Sequence, residues 1–202
     1  MPSSWEKVCN LAMARLGEPF ITNLSDNTKE AKACKNTYEM VVDEVLERHN
    51  WSFANEIVSI APLSTTPVAK WEYEYLMPSS PYCLRVIKVQ DSDENDIEYA
   101  ISGRKIMCNQ EDEIILHYTS RITDPTHLPP TLAMAIALRL AHWIEAKFGD
   151  SITRRKSIGD EYDAVILQAK INNQASDYSN DEYERSGDNI YGNSDWVTEG
   201  RS

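Results

Sequence analysis

The apolar period of this chain changes twice, and those two changes constrain its fold more than any other feature. Up to Trp51 apolar residues recur at helical spacing. From there to Pro129 they alternate or run in short β-branched stretches, and after Pro130 the helical spacing returns. Helices from the two ends must therefore pack together, with the strands as an excursion between them. The pattern predicts an α+β fold: a helical bundle of four main helices with an inserted antiparallel β domain and an extended C-terminal tail. The boundaries read as 1–50 and 129–178 for the bundle, 51–128 for the β insertion and 179–202 for the arm.

The helices are expected at 3–16, 28–49, 131–148 and 151–177. Ser3 and Glu6 form a capping box for the first, which carries Trp5, Val8, Cys9, Ala12, Met13 and Leu16 on one face and stops at Gly17. Phe20, Ile21 and Leu24 are expected to pin the following loop to the core. The second helix starts near Asn27 or Thr28, and its stripe is Ala31, Cys34, Tyr38, Val41, Val42, Val45 and His49. In the third, Leu132, Ile136, Leu140, Ile144 and Phe148 step by four, so it should lie in the middle of the bundle. The last turns Ile158, Tyr162, Val165, Ile166 and Ala169 inward.

Six short strands are expected between the helices. Trp71, Tyr73 and Tyr75 alternate with Glu72 and Glu74, the pattern of a half-buried antiparallel strand. Ser102-Gly103-Arg104 reads as a hairpin turn between 97–101 and 105–109.

Charge narrows the function classes. The chain has 202 residues with 32 acids against 20 Lys and Arg, a net charge of -12. Autonomous binding to a phosphate backbone needs clustered basic charge and is not expected. The excess lies in 51–129 and in the tail, and two acidic clusters stand out: Asp91, Asp93 and Glu94, then Glu111, Asp112 and Glu113. Arg154, Arg155 and Lys156 are the one basic run, near a helix start where cations oppose the macrodipole. That makes them candidates for meeting an acidic partner. The N-terminus has neither a basic nor an apolar leader segment, so no secretory signal is expected, and no apolar run is long enough for a membrane helix.

The search for chemistry returns little. Cys9, Cys34, Cys83 and Cys108 are too scattered for a metal site and read as small core residues. Four dispersed histidines do not suggest ligation, and no nucleophile-elbow, zincin or phosphate-loop pattern occurs. No catalytic residue, cofactor or metal is expected. The tail from Tyr178 is acidic and aperiodic, so alone it should not fold. It nevertheless holds Tyr183, Ile190, Tyr191 and Trp196, apolar anchors suited to a partner surface.

Several segments, in order, resemble the tail tubular protein A family, the head-to-tail adaptors of short-tailed phages. They are LAMARLGEPFITNL from Leu11, RHNWSFA from Arg48, WEYEYLMPSSPYCLRVIKV from Trp71, YAISGRKI from Tyr99 and ILHYTSRITDPTHLPPTLAMAIALRLA from Ile115. The resemblance spans about residues 5 to 177 and leaves out the tail. It implies a virion protein that is not an enzyme, made in the host cytoplasm and placed at the head-to-tail interface. It implies a twelve-subunit ring between portal and tail nozzle, with tail fibres as a further candidate partner. Genomic DNA would pass through without tight binding and no membrane would be involved. A negative channel wall suits that role, because a basic one would hold phosphates. Two other classes stay open: a virion-associated cell-wall-cleaving enzyme using paired carboxylates, and a free intracellular binding module.

Overall fold

The computed structural model describes residues 4–65, 67, 70–149 and 151–186, with side chains described up to residue 174. It is a mixed helix-and-sheet fold, with five α-helices and two small antiparallel sheets among the described residues. The helices are α1 (Trp5–Leu16), α2 (Lys29–Lys35), α3 (Tyr38–Glu47), α4 (Pro130–Ile144) and α5 (Ile152–Ser186). The strands β1 (Asn55–Ile60), β2 (Tyr73–Leu76), β3 (Cys83–Gln90), β4 (Ala100–Ser102), β5 (Lys105–Cys108) and β6 (Ile114–Ser120) all fall between α3 and α4.

Helix α4 is central and packs against α1, α2, α3 and α5. Its first residue is Pro130, which lacks the amide that a first turn leaves unpaired. Leu132, Ile136, Leu140 and Ile144 are buried as the four-residue step requires, and the alanines at 133, 137 and 141 are buried on the adjoining face. Helix α5 brings Ile158, Tyr162, Ile166 and Ala169 to the same core.

The second expected helix is two helices. The chain breaks at Asn36 and Thr37, where the Thr37 amide donates three residues back to the Cys34 carbonyl. Thr37 itself leaves helical geometry, at φ -128. Asn and Thr side chains compete with the helical ladder, and two in succession mark a weak point. Val41, Val42 and Val45 are buried as expected; Leu46, outside the expected stripe but one turn on from Val42, is fully buried too, and Tyr38 only partly.

The first helix begins at Trp5 with Ser4, not Ser3, as its N-cap, and the Ser4 side chain caps no amide. Thr28 does cap α2, accepting from the Ala31 amide at 3.1 Å. In the loop after α1, Asn10 bonds both the amide and the carbonyl of Ile21 at 2.8 and 2.9 Å. That turns Ile21 inward and leaves the preceding Phe20 69% exposed, against expectation.

The strands form two sheets with orders β1-β6-β3 and β2-β5-β4. In the first, Ile114, Leu116 and Tyr118 of the central β6 are buried. The β4–β5 hairpin turns at Gly103, whose φ of +59 favours glycine. Glu74 departs from the expected alternation. It is buried, with Lys105 at 2.6 Å and Thr65 also on its carboxylate. The sheets have their own core of Tyr75, Met77, Cys83, Val89, Ile106, Cys108 and the three β6 residues. All four cysteines are free and buried, as core packing requires.

Helix α5 passes the expected end near Asp177 and continues to Ser186. Residues 178–186 contain neither proline nor glycine, and Gly187 is the first glycine after them. The arm expected over 179–202 is thus helical for its first residues; 187–202 lie outside the described residues.

Candidate interaction surfaces

The two acidic clusters are far apart in sequence but meet at one end of the first sheet. Gln90, the last residue of β3, pairs with Ile115, and Ile60, the last of β1, pairs with Ile114. The loops after β3 and before β6 therefore share the sheet end remote from the helical body. The first loop is held from within: the Asp91 carboxylate accepts from the amides of Asp93 and Asn95 at 3.0 and 2.9 Å. Those bonds, the Asn95 amide first, hold the Asp91 carboxyl below its ordinary range. Glu94 sits at φ +64 and its carbonyl accepts from the Gln90 side chain at 2.6 Å. His117 bonds that same Gln90 side chain at 2.8 Å. Asp93 and Glu94 are left exposed. In the second loop, Glu113 accepts from Ser59 at 2.6 Å, while Glu111 and Asp112 are exposed. The Tyr75 hydroxyl reaches the carbonyls of Gln110 and Asp112, the latter at 2.8 Å.

The basic run is engaged inside the chain. Glu145, at the end of α4, is fully buried and accepts from the Ser151 amide at 2.9 Å and from Arg154 at 3.1 and 3.2 Å. Arg155 reaches its other oxygen at 3.5 Å. Arg154 also donates to the Leu16 carbonyl at 3.2 Å, so it ties α1, α4 and α5 together. Gly149 allows this: a Cβ there would collide with the Arg154 guanidinium. The Ser151 amide first, then the arginines, hold the Glu145 carboxyl below its ordinary value despite burial. Lys156 is exposed and makes no ion pair among the described residues. Tyr183 lies on α5 without a described side chain, and Ile190, Tyr191 and Trp196 lie outside the described residues.

A second carboxylate knot joins α3 to α4. Glu44 takes both Arg139 nitrogens, at 3.1 Å for Nε, together with Arg48 at 2.7 Å and the Trp143 indole at 3.1 Å. Arg139 lies over the rings of Trp143 and Tyr162, each at 5.5 Å.

The joint between helices and sheets was not singled out from the sequence. Arg121, just after β6, forms a two-pronged pair with Asp43 of α3, with Nε at 2.9 Å. Its guanidinium lies 4.5 Å from the centre of the Tyr82 ring, and that of Arg104 lies 4.0 Å from the same ring. Arg104 also donates to the carbonyls of Pro78 and Cys83. The series Asp43, Arg121, Tyr82, Arg104 runs from the helical body through the first sheet to the hairpin of the second. It lines a cleft of about 410 Å³ whose other walls include Glu47, Arg85 and Ile101. On its far side the Asp43–Arg121 pair borders a cavity of about 390 Å³ with Trp5, Tyr38 and Met40. Burial, with Glu39 beside it, pushes the Tyr38 hydroxyl up to about 12. A signal existed: Arg85, Arg104 and Arg121 are three of only six bases in residues 51–129. Their convergence needs the strand register, which the period alone does not fix.

The helical body carries an apolar groove of about 510 Å³ between α1 and the start of α4, lined by Leu11, Ala14, Phe20, Pro130 and Ala133. Among the described residues no group of three or more His, Cys, Asp and Glu side chains is placed to hold a metal. No described helix is long and apolar enough to cross a membrane.

No family model matches the chain, and no curated protein matches it. Among solved structures, a chain in the virion of a native gene transfer agent particle is similar at 13% identity and a TM-score of 0.29. The match covers 80% of this chain and 91% of that one. A likeness at that level carries no argument about function.

Proposed function

We propose that this chain is a structural protein of a phage-like virion, the head-to-tail adaptor. In this reading its helical bundle and inserted β domain form a ring subunit between portal and tail nozzle. The observation that carries the reading is where the family-like segments fall. RHNWSFA contains Trp51, which is buried where α3 turns into β1. WEYEYLMPSSPYCLRVIKV and YAISGRKI supply Tyr82 and Arg104, and ILHYTSRITDPTHLPPTLAMAIALRLA supplies Arg121 and most of α4. The resemblance thus falls on the residues that join the two regions, which set the shape a ring must tile.

The acidic end of the first sheet adds support, since a wall of carboxylates repels passing phosphates. The apolar groove with exposed Phe20 adds contact area that a neighbour can cover. Twelve copies, the portal and nozzle contacts, the fibre contact and a place at the head-to-tail interface come with the resemblance and stand as proposals.

The test is a mass measurement of the purified chain, alone and mixed with portal protein. The reading expects a ring of about twelve copies on the portal. A chain that stays monomeric and does not bind portal overturns it. Turnover of peptidoglycan that depends on one carboxylate would replace it with the enzyme reading.

A further inference from the structure

The joint cleft has a charge opposite to that of the chain around it. Arg104 bonds only carbonyl oxygens through its guanidinium, and Arg85 meets the Asn50 side-chain oxygen. Such partners satisfy N–H groups without cancelling the charge. Neither arginine has a carboxylate partner among the described residues, whereas Arg121 has Asp43. With Glu47, the cleft holds three guanidiniums against two carboxylates, on a chain of net charge -12.

At the other end of the same strands stands the loop after β3. Asp93 and Glu94 project from it with no ion pair among the described residues, and Asp91, Asn95 and Gln90 hold its backbone in place. A loop already fixed in shape loses little entropy on docking. Cleft and loop are separated by the length of β3, eight residues, or about 26 Å at about 3.3 Å per residue.

We propose that the cleft receives the 91–98 loop of a second copy of this chain, with Asp93 and Glu94 meeting Arg85 and Arg104. Two different patches on one subunit make a heterologous contact. Repeated from copy to copy, such a contact closes into a ring or runs on as a filament. The proposal rests on the ring reading and refines it. The 91–98 loop is taken up between subunits, which leaves Glu111, Asp112 and Glu113 for the channel wall.

The experiment is a charge swap read by sedimentation and mass measurement at low and high salt, without and with portal protein. Wild type should self-associate at low salt, and salt should weaken the association. The tip variant Asp93→Lys/Glu94→Lys changes only exposed side chains and should lose about tenfold or more in association. The cleft variant Arg104→Glu should lose as much. Mixing the two variants should restore assembly, because each then offers the other one matched tip and one matched cleft. If Arg104→Glu melts early, Arg85→Glu takes its place in the mixture.

A ring on portal that the tip variant leaves unchanged would overturn this contact and keep the ring reading. Wild type that stays monomeric at low salt, even at high concentration and with portal, would overturn both. A cleft that binds a poly-glutamate peptide while the chain does not self-associate would overturn the second copy as occupant.

Discussion

The helical body and the β region bury their residues in different ways. Among the described residues, thirty are buried in the core around α4 and nine in the core of the sheets. The body relies on apolar packing, with carboxylate knots at its edges. The β region has too few strands for a thick core and adds polar fastenings: Tyr75 on two carbonyls, Glu74 under Lys105, and the Tyr82 ring between two arginines. A small core leans more on its hydrogen bonds, so single polar deletions should act mostly there, while acid should reach both regions through their buried carboxylates. Cavities should act mostly in the body.

The largest effect expected is in the body. Leu140→Ala or Ile136→Ala, both at fully buried positions of the central helix, should each cost about 2–5 kcal/mol in denaturant melts. A loss below half of that for both would mean that α4 is not the packing centre. In the sheets, Ile106→Ala should cost less, about 2 kcal/mol, because a thinner core can close over the cavity. An equal or larger loss would remove the contrast between the regions. Tyr75→Phe keeps the ring and removes the hydroxyl, and should cost about 1 kcal/mol.

Acid should weaken both regions through named carboxyls. Glu145, Glu74 and Asp91 all have folded-state values below their ordinary ones. Their stabilisation is therefore present above the ordinary carboxyl value, 4.5 for the two glutamates and 3.8 for Asp91, and is lost as pH falls below it through the folded values. Glu145→Gln should flatten the acid limb of a melting-temperature profile for the body. Glu74→Gln should do so for the sheets. A profile that neither change alters would show that these carboxyls carry no linkage. The smallest effect expected is Thr28→Ala, about 1 kcal/mol or less, through loss of the cap on α2.

How much of this was legible in the sequence depended on the kind of signal. Period exposed the order of elements and the α4 core, because Leu132, Ile136, Leu140 and Ile144 repeat over four turns. It did not expose the break at Asn36–Thr37, where the apolar stripe runs on while the backbone does not. Nor did it expose Phe20, whose outward turn follows from the two bonds between Asn10 and Ile21. The acidic loops were visible as runs of charge, but their meeting needed the pairing of Gln90 with Ile115. Arg154 read as surface charge, since nothing local announces that Glu145, nine residues back, is buried beneath it. The joint was the least legible part, because Asp43, Tyr82, Arg104 and Arg121 come from four separate segments.

Hydrogen exchange followed amide by amide in the free chain tests the contrast most directly. The account predicts slower exchange at Ile136 and Leu140 in α4 than at Leu116 and Tyr118 in β6, with two distinct opening free energies. Equal protection at all four amides, lost together in one global opening, would contradict it.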